Sequence, residues 1–376
     1  MRAWTYDRVH PGAKLVAVHE DCLKLTTYFG ERDRTDGGQL LADALLDLYG
    51  RNRLASSVLL RGIDGFGAKQ IMRTDRMLTL SEDLPIVSVA VDGRERIESL
   101  ASEVLGFGGN GLVTLERARL VADANAEPVV QQELQEATKL TIFVGRQERA
   151  GGAPAFVTIT DLLHRRGFAG VTALLGVDGT RGGERERARF FGRNAAVPMM
   201  LVAIGGGPQA AAVVGELATL LTKPVITLER VRICKHGGEL LARPHDLPET
   251  DRDGLSLWQK LAIHTSEDMR VGGRPLHREI VRRLREAKIS GATTVRGVWG
   301  YNDARRPGGD RLLQLHRRVP AMTVVVDTPA RIAETFDIVD ELTAHAGLVT
   351  SEMVPAAAVL LPDGQRGGLR LANHRF

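Results

Sequence analysis

Cysteine is scarce: the chain of 376 residues has two, Cys22 and Cys234, with no CxxC or Cys/His spacing. That excludes a disulfide framework and a zinc signature, and thiols of this kind read as small buried hydrophobes. Aromatics make up 5% of the residues, which argues against a base-stacking surface for nucleic acid. No apolar run reaches the roughly 18 residues that cross a bilayer. The opening MRAWTYDRVHPGAKL lacks a secretory h-region, so a soluble, cytoplasmic protein is expected. The 10 histidines are scattered; none stands with a nucleophile and an orienting group, so no enzyme is expected. No metal-ligand spacing occurs either, and no cofactor is required. Charge is nearly balanced, +4 with a pI near 9.2, which permits an anionic ligand without demanding nucleic acid.

What the chain does have is itself, three times over. KLTTYFGERDR from Lys24, KLTIFVGRQER from Lys139 and KLAIHTSEDMR from Lys260 begin alike, and each reads as a strand. Each runs to a Gly-Gly pair and then to a helical pattern. Leu41, Leu45 and Leu48 share one face, as do Phe156, Ile159 and Leu163, and Leu276, Ile280 and Leu284. A second strand follows (SSVLLRG, VTALLGV, ATTVRGV), then a polar Gly/Arg-rich loop. The third strand opens at Pro85, Pro198 or Pro320, where a missing N–H is tolerated. A second helix follows, around 94–105, 208–221 and 329–345, and then a last strand: GLVTLERARL, PVITLERVRI, GLVTSEMV.

Each unit of about 95 residues is thus βαββαβ, the ferredoxin-like order: an antiparallel sheet with two helices on one face. The fold class is α+β. The expected division is 1–130 with an N-terminal arm, 131–250, and 251–376 with a C-terminal tail. The bare sheet faces need cover, and the other two copies are the obvious cover. The units are therefore expected to form a pseudo-threefold internal trimer with clefts between neighbours, and the chain to be a monomer. Stretches 122–138 and 234–254 read as linkers.

Together these features resemble the PII-like proteins of the domain-of-unknown-function family 190. LLRGIDGFGA, the loop ending in LSEDLP, and GLVTLE carry the match most fully in the first copy. The resemblance implies a signalling protein that binds an adenine nucleotide (ATP, ADP, AMP or cyclic AMP) between units. It also implies that long inter-strand loops contact a partner protein, with a membrane transporter or channel as the expected kind. The alternative is a structural scaffold whose nucleotide sites have decayed.

A Gly-x-x-Gly recurs at the root of each long loop: Gly62 and Gly65 (with Gly67 just beyond), Gly176 and Gly179, Gly297 and Gly300. No Gly-Lys-Ser/Thr follows, and the loop leads to a strand, so neither a Walker loop nor a Rossmann fingerprint is present. Taken alone these are turn glycines; the resemblance places the nucleotide beside them, with Arg61 preceding the first. GFGGNG adds Gly108, Gly109 and Gly111 in the first copy alone, where the resemblance implies a phosphate cradle. The second copy offers only Lys223 there, so the clefts are not expected to be equivalent. On the last strand Arg117 and Arg119, then Arg230 and Arg232, stand two apart on one face. They read as a phosphate clamp or as a solvated edge. The second long loop carries Phe190 and Phe191 among arginines, suited to a partner contact or to folding over a sheet edge. RGFAGVTA lacks the aromatics of an RNA-stacking motif. Asp64 and Asp178 recur and read as turn-formers.

Overall fold

The computed structural model describes residues 18–75, 83–122, 137–181, 184–185, 197–222, 224–302, 307–309, 319–361 and 364–374. The first unit runs β1 (Val18–Gly30), α1 (Leu41–Arg51), β2 (Ser56–Phe66), β3 (Pro85–Gly93), α2 (Arg94–Gly106) and β4 (Gly111–Ala122). The second runs β5 (Ala137–Gly145), α3 (Ala155–Arg165), β6 (Gly170–Leu175), β7 (Pro198–Gly206), α4 (Gly207–Leu220) and β8 (Val225–Arg230). The third runs β9 (Trp258–Ser266), α5 (Leu276–Glu286), β10 (Ala292–Tyr301), β11 (Pro320–Asp327), α6 (Pro329–Leu342) and β12 (Leu348–Val354). Phe190, Phe191, Lys223 and most of the first linker lie outside the described residues.

In each unit the first strand pairs antiparallel with the third and the fourth, and the third also with the second. That is the ferredoxin-like sheet. Its outer face takes the unit's own helices: Leu45, Leu48, Ile159, Leu163, Ile280 and Leu284 are wholly buried. Its inner face meets the inner faces of the other units in one common core. Val87, Val89 and Val91, Met200, Val202 and Ile204, and Met322, Val324 and Val326 pack there together. Strands covered on both faces become continuous apolar runs, which is why PIVSVAV, PMMLVAI and PAMTVVV do not alternate. Each such buried side chain contributes about 1.5–3 kcal/mol relative to exposure.

Strands also pair across units, in two closed cycles. Gly62–Phe66 of β2 pairs with Ala292–Val295 of β10. The far half of β10 pairs with β6. Asp178–Arg181, just after β6, returns to Ser56–Leu59 of β2. In the second cycle β4 pairs with β8, Arg232–His236 with β12, and Ala356–Leu360 with the start of β4. The 234–254 stretch is therefore more than a linker, since its first residues extend a neighbour's sheet. The C-terminal tail likewise folds as a hairpin, Ala356–Leu361 with Gly364–Gly368, on the first unit.

Candidate functional site

The recurrent Gly-x-x-Gly explains the first cycle of pairing. A methyl group on Gly65 would sit 2.6 Å from the Ala292 carbonyl oxygen of the third unit. On Gly62 it would meet the Thr294 carbonyl, on Gly297 the Ala173 carbonyl, on Gly179 that of Ser57 and on Gly300 that of Val171. Gly176 is hemmed in by the Pro198 carbonyl and Val58. In every copy the pair lets one unit's second strand cross close over the backbone of the next. Asp64 and Asp178 are buried and accept hydrogen bonds from the Gly65 and Gly179 amides at 3.1 and 2.8 Å, as turn-formers do. Gly67 differs: nothing lies within 4 Å of its Cβ position.

Gly67 opens onto a cleft between the first and third units, with a volume of about 200 Å³. The first unit supplies Tyr28, Phe66, Asn110, Gly111 and Leu112. The third supplies Gly291, Thr293, Val324 and Val326, and the C-terminal hairpin supplies Val359 and Leu360. Lys69 and Arg73 stand in the long-loop wall. Arg73 is held by Asp83 at 2.8 Å and Asp33 at 3.7 Å. The loop is fastened to the third unit: Gln70 Nε2 donates to the Ile289 carbonyl at 2.7 Å, Arg285 Nε donates to the Gln70 carbonyl at 2.8 Å, and Arg278 pairs with Asp75 at 2.9 Å.

Different side chains stand at the equivalent places of the other two inter-unit seams. Where the first unit has Phe66 and Gly67, the third has Tyr301 and Asn302; Tyr301 donates its hydroxyl hydrogen bond to the Phe168 carbonyl at 3.1 Å and stacks edge-on against His164. Leu348 presses against Gly170 there. At the third seam Thr180 meets Ser57, hydroxyl to hydroxyl, at 2.8 Å.

Of the glycines expected at the nucleotide, Gly67 and Gly111 line the open cleft. Gly62, Gly65, Gly176, Gly179, Gly297 and Gly300 lie in the strand crossings. Gly108 and Gly109 hold left-handed backbone, φ +69° and +89°, and the Asp36 carboxylate lies against Gly108. The space expected for a phosphate there holds a carboxylate of the chain itself. Arg61 pairs with Glu31 at 2.9 Å at the surface. Arg117 donates to the Ala372 carbonyl at 2.7 Å and Arg232 to that of Arg243 at 3.3 Å. At ~3.3 Å per strand residue, Arg117 and Arg119 lie roughly 20 and 26 Å along β4 from Gly111. They cannot grip the same phosphate as the glycine loop. Arg230, at the exposed end of β8, belongs to that remote group.

A second constellation escaped the sequence reading. Lys24, Lys139 and Lys260, at matching places on the first strands, meet Glu116, Glu229 and Glu352 of the fourth strands; all six are 2–6% exposed. Each lysine reaches the glutamate of its own unit: Lys24 to Glu116 at 2.9 Å, Lys139 to Glu229 at 3.0 Å, Lys260 to Glu352 at 3.1 Å. Each also touches the glutamate of a neighbour: Lys24 with Glu229, Lys139 with Glu352, Lys260 with Glu116. The ring is closed and neutral. The three carboxylates lie within 4.8 Å of one another, a spacing a metal ion could use, but the ammoniums stand between them. Burial alone would raise Glu116, yet the ammoniums of Lys24, Lys260 and Lys139 hold it well below the usual carboxylate range. Burial alone would lower Lys260, yet Glu116 and Glu352 hold it well above its ordinary value. Beside the ring is a central cavity of about 60 Å³, lined also by Tyr28, Thr26 and His264. Burial, with Lys139 nearby, pushes His264 down to about 4. The signal was in the sequence: Lys-Leu opens every repeat and Thr-Leu-Glu or Thr-Ser-Glu closes it.

The fold defines a class: tandem ferredoxin-like units, here with a cleft between the first and the third. The family model of uncharacterized ACR proteins, domain of unknown function 190, matches at residues 22–120, 137–233 and 258–356. The chain belongs to that family, with three copies of its domain in tandem. It is also 30% identical to a UPF0166 protein of Aquifex aeolicus (strain VF5), over 94 residues, 25% of this chain and 88% of that protein. Among the described residues no helix is long and apolar enough to cross a membrane.

Proposed function

We propose that this chain is a PII-like regulator, an internal trimer about a pseudo-threefold axis, that binds an adenine nucleotide in the cleft between its first and third units. The observation that carries the reading is that cleft. It is apolar inside, with room for a purine and its ribose, and has Lys69 and Arg73 on the loop that overhangs it. Supporting the axis are the two closed cycles of strand pairing and the cyclic Lys–Glu ring. The ligand acts by population shift: it binds best when the long loop is docked, and loop position controls a partner protein, a membrane transporter or channel being the expected kind. The protein works in the cytoplasm, as a monomer and without catalysis.

Calorimetry with ATP, ADP, AMP and cyclic AMP tests the reading. Saturable binding weakened by Lys69→Ala and untouched by Arg119→Ala is expected. Silence from all four at millimolar ligand would instead favour a scaffold, the reading to which the strand-crossing glycines also lend themselves. Light scattering should give one chain, 40.9 kDa; a mass near three chains would sink the internal trimer.

A further inference from the structure

The cleft and the central cavity share three walls: Tyr28, Thr293 and Val324 line both. Thr293 and Val324 are short β-branched side chains. Tyr28 is the large one. It follows Lys24 and Thr26 on the inner face of β1, since residues two apart on a strand point the same way. Its counterparts, Phe143 and His264, are 1% and 3% exposed. Tyr28 alone of the three is half-buried, and it lines the cleft between the first and third units. Behind it lie the buried ammoniums.

We propose that Tyr28 is the size-selecting residue of the cleft: its ring is the partition that stops a ligand at the cleft floor and keeps it out of the central cavity. The partition is steric. A ligand deep enough to pass it would enter a chamber whose charges are already mutually compensated, and would have to desolvate against the lysine–glutamate ring. With the phenol removed, the spaces of about 200 and 60 Å³ become continuous. The cleft would then accept a ligand carrying an extra apolar group at its buried end. That ligand-size corollary rests on the nucleotide reading; the partition itself does not.

The test uses the full chain with Thr26→Cys, which puts a thiol in the central cavity two residues behind Tyr28, and a small methanethiosulfonate reagent. The native Cys22 and Cys234, 4% and 0% exposed, report any general loosening. With Tyr28 or Tyr28→Phe in place, Cys at 26 should stay unreactive. With Tyr28→Ala it should react faster by an order of magnitude or more while Cys22 and Cys234 remain protected. Where Ala exposes the native cysteines too, Tyr28→Leu keeps more of the packing and gives the decision. Labelling at 26 as fast with Tyr28 as without it, or continued protection in a folded Ala or Leu variant, overturns the partition. Calorimetry separates the two readings: the native chain should bind AMP and not N6-benzyl-AMP, and the Tyr28→Ala variant should bind N6-benzyl-AMP. No AMP binding by the native chain counts against the nucleotide reading and leaves the labelling result to stand. Equal binding of both ligands by the native chain counts against size selection.

Discussion

Removing one lysine from the ring is the sharpest test of how the three units are held together. Lys260→Met preserves much of the side-chain volume and leaves three carboxylates facing two ammoniums. At the 3.1 Å separation of Lys260 and Glu352, the attraction is about 5 kcal/mol for an effective dielectric constant near 20. The desolvation cost of Lys260 is recovered at the same time, so the net is smaller. Breaking a buried ion pair by deleting one partner costs about 3–5 kcal/mol, because a charge is left buried and uncompensated. That is a large fraction of the 5–15 kcal/mol typical of a folded domain. Lys260→Met with Glu116→Gln restores neutrality, two against two, and should recover most of the loss. A double-mutant cycle by urea unfolding at pH 7 should therefore be strongly non-additive. The pH dependence has a definite sign. In Lys260→Met the spare carboxylate has its folded pKa raised above the unfolded value. The folded state then keeps a proton that the unfolded state has released, so the penalty grows as pH rises through the unfolded value and shrinks in acid. In the native chain Glu116 is depressed instead; its contribution is present at neutral pH and lost as pH falls through its folded value. A cost below about 1 kcal/mol for Lys260→Met, or additive single effects, would refute the claim that the ring is a buried, mutually compensated unit.

Other outcomes follow from the same geometry. His264 has its folded value lowered from 6.5 to about 4, so its contribution is present above 6.5 and lost as pH falls toward 4, by about 3 kcal/mol; His264→Phe should flatten that part of a pH–stability curve measured by urea unfolding. Gly65→Ala should cost about 1–3 kcal/mol by overpacking against the Ala292 carbonyl. Gly67→Ala, with open space around it, should change stability by no more than about 0.5 kcal/mol. Equal melting shifts for the two glycine variants would contradict the strand-crossing account.

Much of the fold was legible because it is local and repeated. Leu41, Leu45 and Leu48 announce a helix face by spacing alone, and Pro85, Pro198 and Pro320 do mark the first residues of the third strands. The cover for the bare sheet faces could be inferred because an apolar face must go somewhere. Partners across units were not legible. Gly65 and Gly179 carry the same signal whether they face a phosphate or a neighbouring carbonyl; spacing records that bulk is forbidden, not what forbids it. Lys24 shows no partner in the sequence until the glutamates from two units are placed around it. Arg117 and Arg119 share a face, as their spacing requires, but the distance to Gly111 depends on where along the strand the cleft opens. The pairing of Ala356–Leu361 with the start of β4 was not legible because its partner lies more than two hundred residues earlier.

Three tandem copies free each inter-unit seam to change separately, which identical subunits in a symmetric trimer cannot do, since every substitution there appears at all the interfaces. The two kinds of feature in this chain divide along that line. Lys24, Lys139 and Lys260, with Glu116, Glu229 and Glu352, are the same in every copy, as expected of a network in which losing any one member leaves a buried charge. The seams have diverged: one holds the cleft beside Gly67, one holds Tyr301 and Leu348, and one holds the contact of Thr180 with Ser57. Filling a seam adds buried contacts, so it is favoured wherever ligand binding is not required of it. An open cleft forgoes those contacts. That the seam beside Gly67 opens into a cleft of about 200 Å³ is the physical reason to look there for a ligand.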